Sequence, residues 1–316
     1  MKRIFLKMTP PHRFKYVAHG MLLVVLTIVT LSCGNDDEQA TEMTETTTET
    51  ETTTETETET TTEIPQEIKD LIYFRGDENA PIVLINVQEG SDIALGTDQV
   101  NFITENFNTT DILTVNVHQA QTLNPNILGG NDITLDEAVT INTESIEILD
   151  QVIRYFKDDG RTVYVLGISF GAFMTQELIA TKGIGIADNY LIMAGRLDIN
   201  DLMWQALAEG RFGFFENGVT PVIDPEPSTD VVERNIARIA AGLGMNRYTQ
   251  LLSPIDDLSK VTYVYGTTDD AVGSLTSEEV QFLESKNVNI ITGNGNHDET
   301  ITNFLVQAFD EAFGIE

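Results

Sequence analysis

Ser169 is the residue in this chain best placed to do chemistry. It lies in Gly167-Ile168-Ser169-Phe170-Gly171. Before it comes a short apolar run containing Val163 and Val165, suited to a strand buried on both faces. After it, apolar residues return at helical spacing from Phe173 through Leu178 and Ile179. A serine on a sharp strand-to-helix turn has strained backbone and an exposed hydroxyl. Flanking glycines let the strand and helix approach without Cβ clashes. The competing reading is a glycine-rich turn whose serine only caps the helix. A serine hydroxyl is a poor nucleophile at neutral pH, so a base must take its proton during attack. Histidine titrates near neutrality and can return that proton to the leaving group. A carboxylate fixes the imidazole tautomer and stabilises the imidazolium. The chain has four histidines, His12, His19, His118 and His297.

His12 and His19 fall in a segment that reads as a targeting signal, residues 1–32. Lys2, Arg3, Lys7, Arg13 and Lys15 form a basic front, shorter if translation starts at Met8. Residues 21–31 form an apolar core, too short to span a bilayer and of signal-peptide size. Leu31-Ser32-Cys33-Gly34 resembles a bacterial lipobox, which implies that Cys33 is acylated and becomes the mature N-terminus. Cys33 is the chain's one cysteine, so no internal disulfide competes for it. The alternative is a plain secretory signal with an incidental cysteine. Asp36-Asp37-Glu38 resembles the surface-export signal of Bacteroidota lipoproteins. The implied location is the cell envelope, lipid-anchored to the outer membrane, with periplasmic and outward-facing orientations both open. Residues 33–66 follow as a tether, almost wholly Thr and Glu from 41 to 63. They hold too little apolar surface to offset the entropy of ordering, so a disordered, self-repelling spacer is expected.

Residues 67–316 have the size of one large α/β domain. Strand signals at 80–87, 111–117, 161–168, 189–194, 261–265 and 288–291 alternate with helix signals at 97–107, 135–157, 278–285 and 301–313. That alternation predicts a mainly parallel central sheet flanked by helices. Residues 197–258 form an insertion between two of the strands. It contains Trp204, Phe212, Phe214 and Phe215, with a helix expected over 231–243.

From about residue 80 onward the chain resembles an α/β-hydrolase, and two further motifs carry the resemblance. The family places an acid after the penultimate core strand, often as G-x-x-D-x-x-V. Here Gly266-Thr267-Thr268-Asp269-Asp270-Ala271-Val272 occupies that place, preceded by Ser253-Pro254. The family's histidine follows the last strand, where this chain has Asn296-His297-Asp298 ahead of a helix. Serine, acid, histidine is the chain order of this fold. The resemblance implies Ser169 as nucleophile, His297 as base then acid, and Asp269 as orienter. His118 lies too early for this order and reads as a locally bonded strand-end residue. Asp270 and Asp298 read as solvated turn residues, and Asp198 matches a less common acid position. The family draws its oxyanion donors from the residue after the nucleophile and from the loop after an early strand. These positions are the backbone N–H groups of Phe170, Gln88 and Glu89. Relatives usually show His-Gly in that loop, whereas this chain shows Gln88-Glu89-Gly90. The departure sets a carboxylate near a site of developing negative charge. The insertion at 197–258 stands where the family often carries a lid, expected here to be helical; its aromatic residues either fit an acyl or aromatic substrate group or merely pack the insertion onto the body. Arg196 and Arg211 could meet a substrate carboxylate, although solvated or paired arginines are commoner.

The net charge is −32, and loss of the signal segment with its five basic residues leaves −37. So negative a chain disfavours nucleic acid and anionic lipid as partners. The membrane is expected to be met through the lipid anchor only, and the domain to act as a monomer. The sequence holds no metal-ligand cluster and no phosphate-binding glycine loop, so no cofactor is expected. Two classes of function follow. One is a lipid-anchored serine hydrolase acting on small or medium esters, or on amides with the same triad. The other is a binding lipoprotein that keeps the fold without turnover.

Overall fold

The computed structural model describes residues 63–316. The signal segment 1–32, Cys33 and residues 34–62 of the tether lie outside the described residues. The buried core begins at Ile64, which is 1% exposed, upstream of the expected boundary at Glu67.

Nine strands are present among the described residues: β1 (Ile72–Arg75), β2 (Ile82–Val87), β3 (Ile112–Val117), β4 (Thr162–Ile168), β5 (Asn189–Met193), β6 (Gly213–Glu216), β7 (Thr220–Ile223), β8 (Val261–Gly266) and β9 (Asn289–Gly293). Seven form one sheet in the order β1-β3-β2-β4-β5-β8-β9. All its neighbours pair in parallel except β1, which runs antiparallel to β3 at the edge. Helices link the parallel strands, giving the expected mainly parallel sheet flanked by helices. Val83, Leu84 and Ile85 of β2 and Val163, Val165 and Leu166 of β4 are wholly excluded from solvent. That is why these strands read as unbroken apolar runs rather than alternating ones. Each such side chain contributes about 1.5–3 kcal/mol on burial.

The helix Leu135–Asp158 starts at a capping box in which the Thr134 hydroxyl accepts from the Glu137 N–H, and Glu137 accepts in return from the Thr134 N–H. Its inner face buries Ala138, Ile141, Leu149, Val152, Ile153 and Phe156. Asn142 on the same helix donates to the carbonyl of Ile239 at 2.9 Å, fixing it against the helix Val231–Gly244.

The edge strand β1 carries no strong pattern and was not expected from the sequence. Within 197–258 the structure holds the helices Asp201–Ala208, Val231–Gly244 and Tyr248–Leu251, together with an antiparallel hairpin of β6 and β7. The insertion is therefore not purely helical. The three-residue connection Asn217-Gly218-Val219 of the hairpin has positive φ at its first two residues, 53° and 71°, a conformation that asparagine and glycine tolerate best. No helix among the described residues is long and apolar enough to cross a membrane.

Candidate active site

The four chain segments that matter leave the sheet at the C-terminal ends of parallel strands, where open α/β sheets gather their ligand sites. The 88–91 loop follows β2, Ser169 follows β4, the Asp269 loop follows β8, and His297 follows β9.

Ser169 has φ 55° and ψ −117°, a conformation that L-residues avoid and that costs about 1–3 kcal/mol. Its turn is held by Ser169 N–H donating to the Met193 carbonyl at 3.0 Å and Ala172 N–H donating to the Ser169 carbonyl at 3.0 Å. The two glycines are steric requirements. A Cβ on Gly171 would lie 2.5 Å from the carbonyl oxygen of Val87, and a Cβ on Gly167 would collide with the Thr175 hydroxyl and the Gly171 carbonyl. Packing of the helix Phe170–Lys182 onto β4 and β2 thus forces the serine into its strained geometry.

His297 opens the helix His297–Phe313, which starts upstream of the residue 301 expected from periodicity. Asn296 caps it, its side chain accepting from the Glu299 N–H at 2.9 Å, so the imidazole sits on a rigid first turn. His297 Nε2 lies 3.0 Å from Ser169 Oγ, and Nδ1 lies 2.8 Å from Asp269 Oδ2. Asp269 is 2% exposed, and its Oδ1 accepts the N–H groups of Ala271 and Val272, each at 2.9 Å. Both carboxylate oxygens are therefore directed, and one faces the ring. Burial alone would lower the His297 pKa. The charge and hydrogen bond of Asp269, helped by Asp298 and Asp270, outweigh it and hold the imidazole at about 9.

The oxyanion side differs from expectation. The N–H of Phe170 is not free. It donates to the carbonyl of Glu89 at 3.0 Å. Gln88 is buried and braces its own loop, its Nε2 donating to the Gly90 carbonyl at 3.1 Å and its Oε1 accepting from Gly96 N–H at 2.8 Å. The carbonyl of Gln88 is in turn held by Nε2 of Gln119 at 3.3 Å. The Glu89 side chain turns inward, with Oε2 buried and without a hydrogen-bond partner among the described residues. Burial pushes its carboxyl up and His297 pulls it down. Asp92 and Asp298 raise it further, leaving it at about 7. Gln119 and Gly90 were not singled out by sequence reasoning. Nothing local marks Gln119, whereas the glycine after the unusual Gln-Glu pair was a visible signal.

The remaining candidates are engaged elsewhere. His118 Nδ1 pairs with the Thr122 hydroxyl at 2.8 Å, and burial lowers its pKa. Asp198 accepts the N–H and hydroxyl of Thr249. Asp270 is more than a solvated turn residue, since its Oδ1 accepts the His297 N–H at 3.2 Å; Asp298 is exposed. Arg196 is buried 3.4 Å from Glu279 and stacks over Phe215, while Arg211 pairs with Glu209 at 2.6 Å. The β6–β7 hairpin is stitched to the Asp269 loop by Phe215 N–H to Asp270 carbonyl and Ser274 N–H to Gly218 carbonyl, both 2.8 Å. Its Phe214 and Val222, register partners, and Val219 remain exposed. No three His, Cys, Asp or Glu side chains among the described residues are grouped to hold a metal ion.

No family model matches the sequence, and no curated protein does. Solved structures do align with it. An α/β hydrolase from a Medee basin deep-sea metagenome library is 12% identical, covering 77% of this chain and 93% of that one with a TM-score of 0.49. A thermostable carboxyl esterase from Bacillus coagulans is 11% identical over 76% of this chain and 91% of that one, TM-score 0.48. A bromoperoxidase from Bacillus anthracis is 12% identical over 76% and 92%, TM-score 0.45. What the strand order and connections establish for this chain is its fold, a mainly parallel α/β sheet, with Ser169, His297 and Asp269 linked through His297 at the C-terminal ends of its strands.

Proposed function

We propose that this chain is a serine hydrolase acting on carboxylic esters. The observation that carries the reading is the continuous hydrogen-bonded line Ser169–His297–Asp269, drawn from three strand ends, with the serine strained and the acid buried. Ser169 Oγ attacks the acyl carbon while His297 Nε2 takes its proton. The tetrahedral intermediate collapses as His297 returns that proton to the leaving alcohol, giving an acyl-serine and a free alcohol. Water then attacks the acyl carbon, losing its proton to His297, and the carboxylic acid leaves as the proton passes back to Ser169. Asp269 keeps Nδ1–H pointed at itself and stabilises the imidazolium. The exposed Phe214, Val219 and Val222 on the hairpin beside the acid loop support an apolar acyl or alcohol group on the substrate.

A fluorophosphonate probe tests the assignment. It is expected to label the wild-type chain at Ser169. Ser169→Ala is expected to lose both labelling and ester hydrolysis while unfolding at the same urea midpoint. Substantial turnover by a folded Ser169→Ala would sink it. A panel of esters of rising acyl length then bounds the substrate. One observation favours a second reading, a binding protein without turnover: the Phe170 N–H is already occupied by Glu89. Failure of the wild type to label selects that reading. The lipobox resemblance at Cys33 supports anchoring of the domain to the outer membrane through residues 33–62.

A further inference from the structure

For an acyl-transfer site at Ser169, the bond from Phe170 N–H to the Glu89 carbonyl is an obstacle. It fills the first oxyanion donor with an acceptor, and two acceptors cannot share that place. Either the loop moves or no oxyanion is held.

The hydrogen bonds around the loop say which part can move. The peptide before Glu89 is pinned through the Gln88 carbonyl by Gln119. The peptide after Gly90 is pinned through the Gly90 carbonyl by the Gln88 side chain, itself fixed on Gly96 N–H. Between these anchors lies the Glu89–Gly90 peptide, whose carbonyl, among the described residues, holds only the Phe170 N–H. Oε2 of Glu89 has no hydrogen-bond partner among the described residues, so it does not pin this peptide. In a planar trans peptide the C=O and N–H point in opposite directions. Turning this plane over about its two Cα atoms changes only ψ of residue 89 and φ of residue 90. It takes the carbonyl off Phe170 and brings the Gly90 N–H to the same side.

Gly90 is not among the residues with positive φ in the structure. The turn-over carries it into that region, as in conversion of a type I turn to type II, which calls for glycine at the second central position. The glycine therefore has a reason to be there that the resting structure does not use.

We infer that the second oxyanion donor is the backbone N–H of Gly90, delivered by a turn-over of the Glu89–Gly90 peptide that also frees the Phe170 N–H. This rests on the serine-hydrolase reading and replaces the donors at Gln88 and Glu89 expected from family resemblance. The tetrahedral intermediate then sits between Phe170 N–H and Gly90 N–H, and the resting site is latched until the substrate's carbonyl oxygen offers a better acceptor.

Two measurements on the full-length chain test it. The first is a crystal structure of the Ser169 phosphonyl adduct. It is expected to show the phosphonyl oxygen within hydrogen-bond reach of both N–H groups, with Gly90 at positive φ. An adduct that keeps the bond from Phe170 N–H to the Glu89 carbonyl overturns the inference. The second is kinetics of Gly90→Ala and Gly90→Pro. An alanine Cβ here would lie 2.9 Å from Asp92 Oδ2, a side-chain atom that must shift, so the urea midpoint of the variant is read alongside its kinetics to show that it folds. Ala resists positive φ, and kcat is expected to fall about tenfold with KM little changed. Pro removes the N–H and fixes φ near −65°, and a fall of about 10²–10³ is expected. Wild-type kcat in either variant refutes the mechanism. A wild-type chain that never labels overturns the hydrolase reading, and this inference falls with it.

Discussion

Glu89→Gln tests the electrostatics of the site through stability. The Glu89 carboxyl ionises at about 7 in the folded chain against an ordinary 4.5, chiefly because burial penalises its charge. At about 1.4 kcal/mol per pH unit, that gap caps the effect at about 3 kcal/mol, and partial solvent access trims it to about 2 kcal/mol. Below pH 4.5 the carboxyl is protonated in both folded and unfolded chains, so it costs nothing. Between 4.5 and 7 the folded chain binds more protons than the unfolded one, so stability falls as pH rises. Above 7 the full cost of the buried charge is present. Glutamine keeps the size and never ionises. Glu89→Gln is therefore expected to match the wild type near pH 4 and to be more stable by about 2 kcal/mol at pH 8. His297, held at about 9, stays protonated across this window in the folded chain, so its charge does not confuse the comparison. Urea unfolding of both proteins at pH 4.5, 6 and 8 reads the difference directly. A difference that does not change with pH, or a variant less stable at pH 8, would refute the reasoning. The same substitution is expected to raise kcat for neutral esters above pH 7, where the wild-type carboxylate opposes the oxyanion.

Hydrolysis needs neutral His297, so kcat/KM is expected to climb with pH towards about 9, above the usual histidine range. Asp269→Asn removes the charge that holds the imidazole up. It is expected to move that limb to lower pH while kcat falls on the order of 10³–10⁴ through the wrong tautomer; a limb left in place would contradict the assigned cause. Cys33→Ala is expected to release the protein from the membrane fraction of its host, measured by fractionation against a soluble exported control. Continued pelleting would put the anchor elsewhere.

The sequence by itself determined the local parts of this protein. Apolar runs fixed β2, β3, β4, β5 and β8, because strands buried on both faces need little polar relief. Gly167 and Gly171 announced the serine turn, because that close approach excludes a Cβ whatever surrounds it. Strands of a few residues with weak pattern, β1 and the β6–β7 hairpin, were not legible, since their partners in the sheet, rather than their own side chains, decide them. Asp269, Asp270 and Asp298 are the same residue type, the first two adjacent in the loop after β8 and the third beside His297 after β9. Family pattern could favour Asp269, but only the folded chain shows that Asp269 faces Nδ1 while Asp270 caps a backbone N–H. Most of all, the pairing of Phe170 N–H with the Glu89 carbonyl joins residues far apart in sequence through backbone atoms. Side-chain identity does not encode where a main-chain carbonyl points. That direction is set by how Gln119, Gln88 and Gly96 clamp the loop, and it exists only once β2, β4 and their helices have packed.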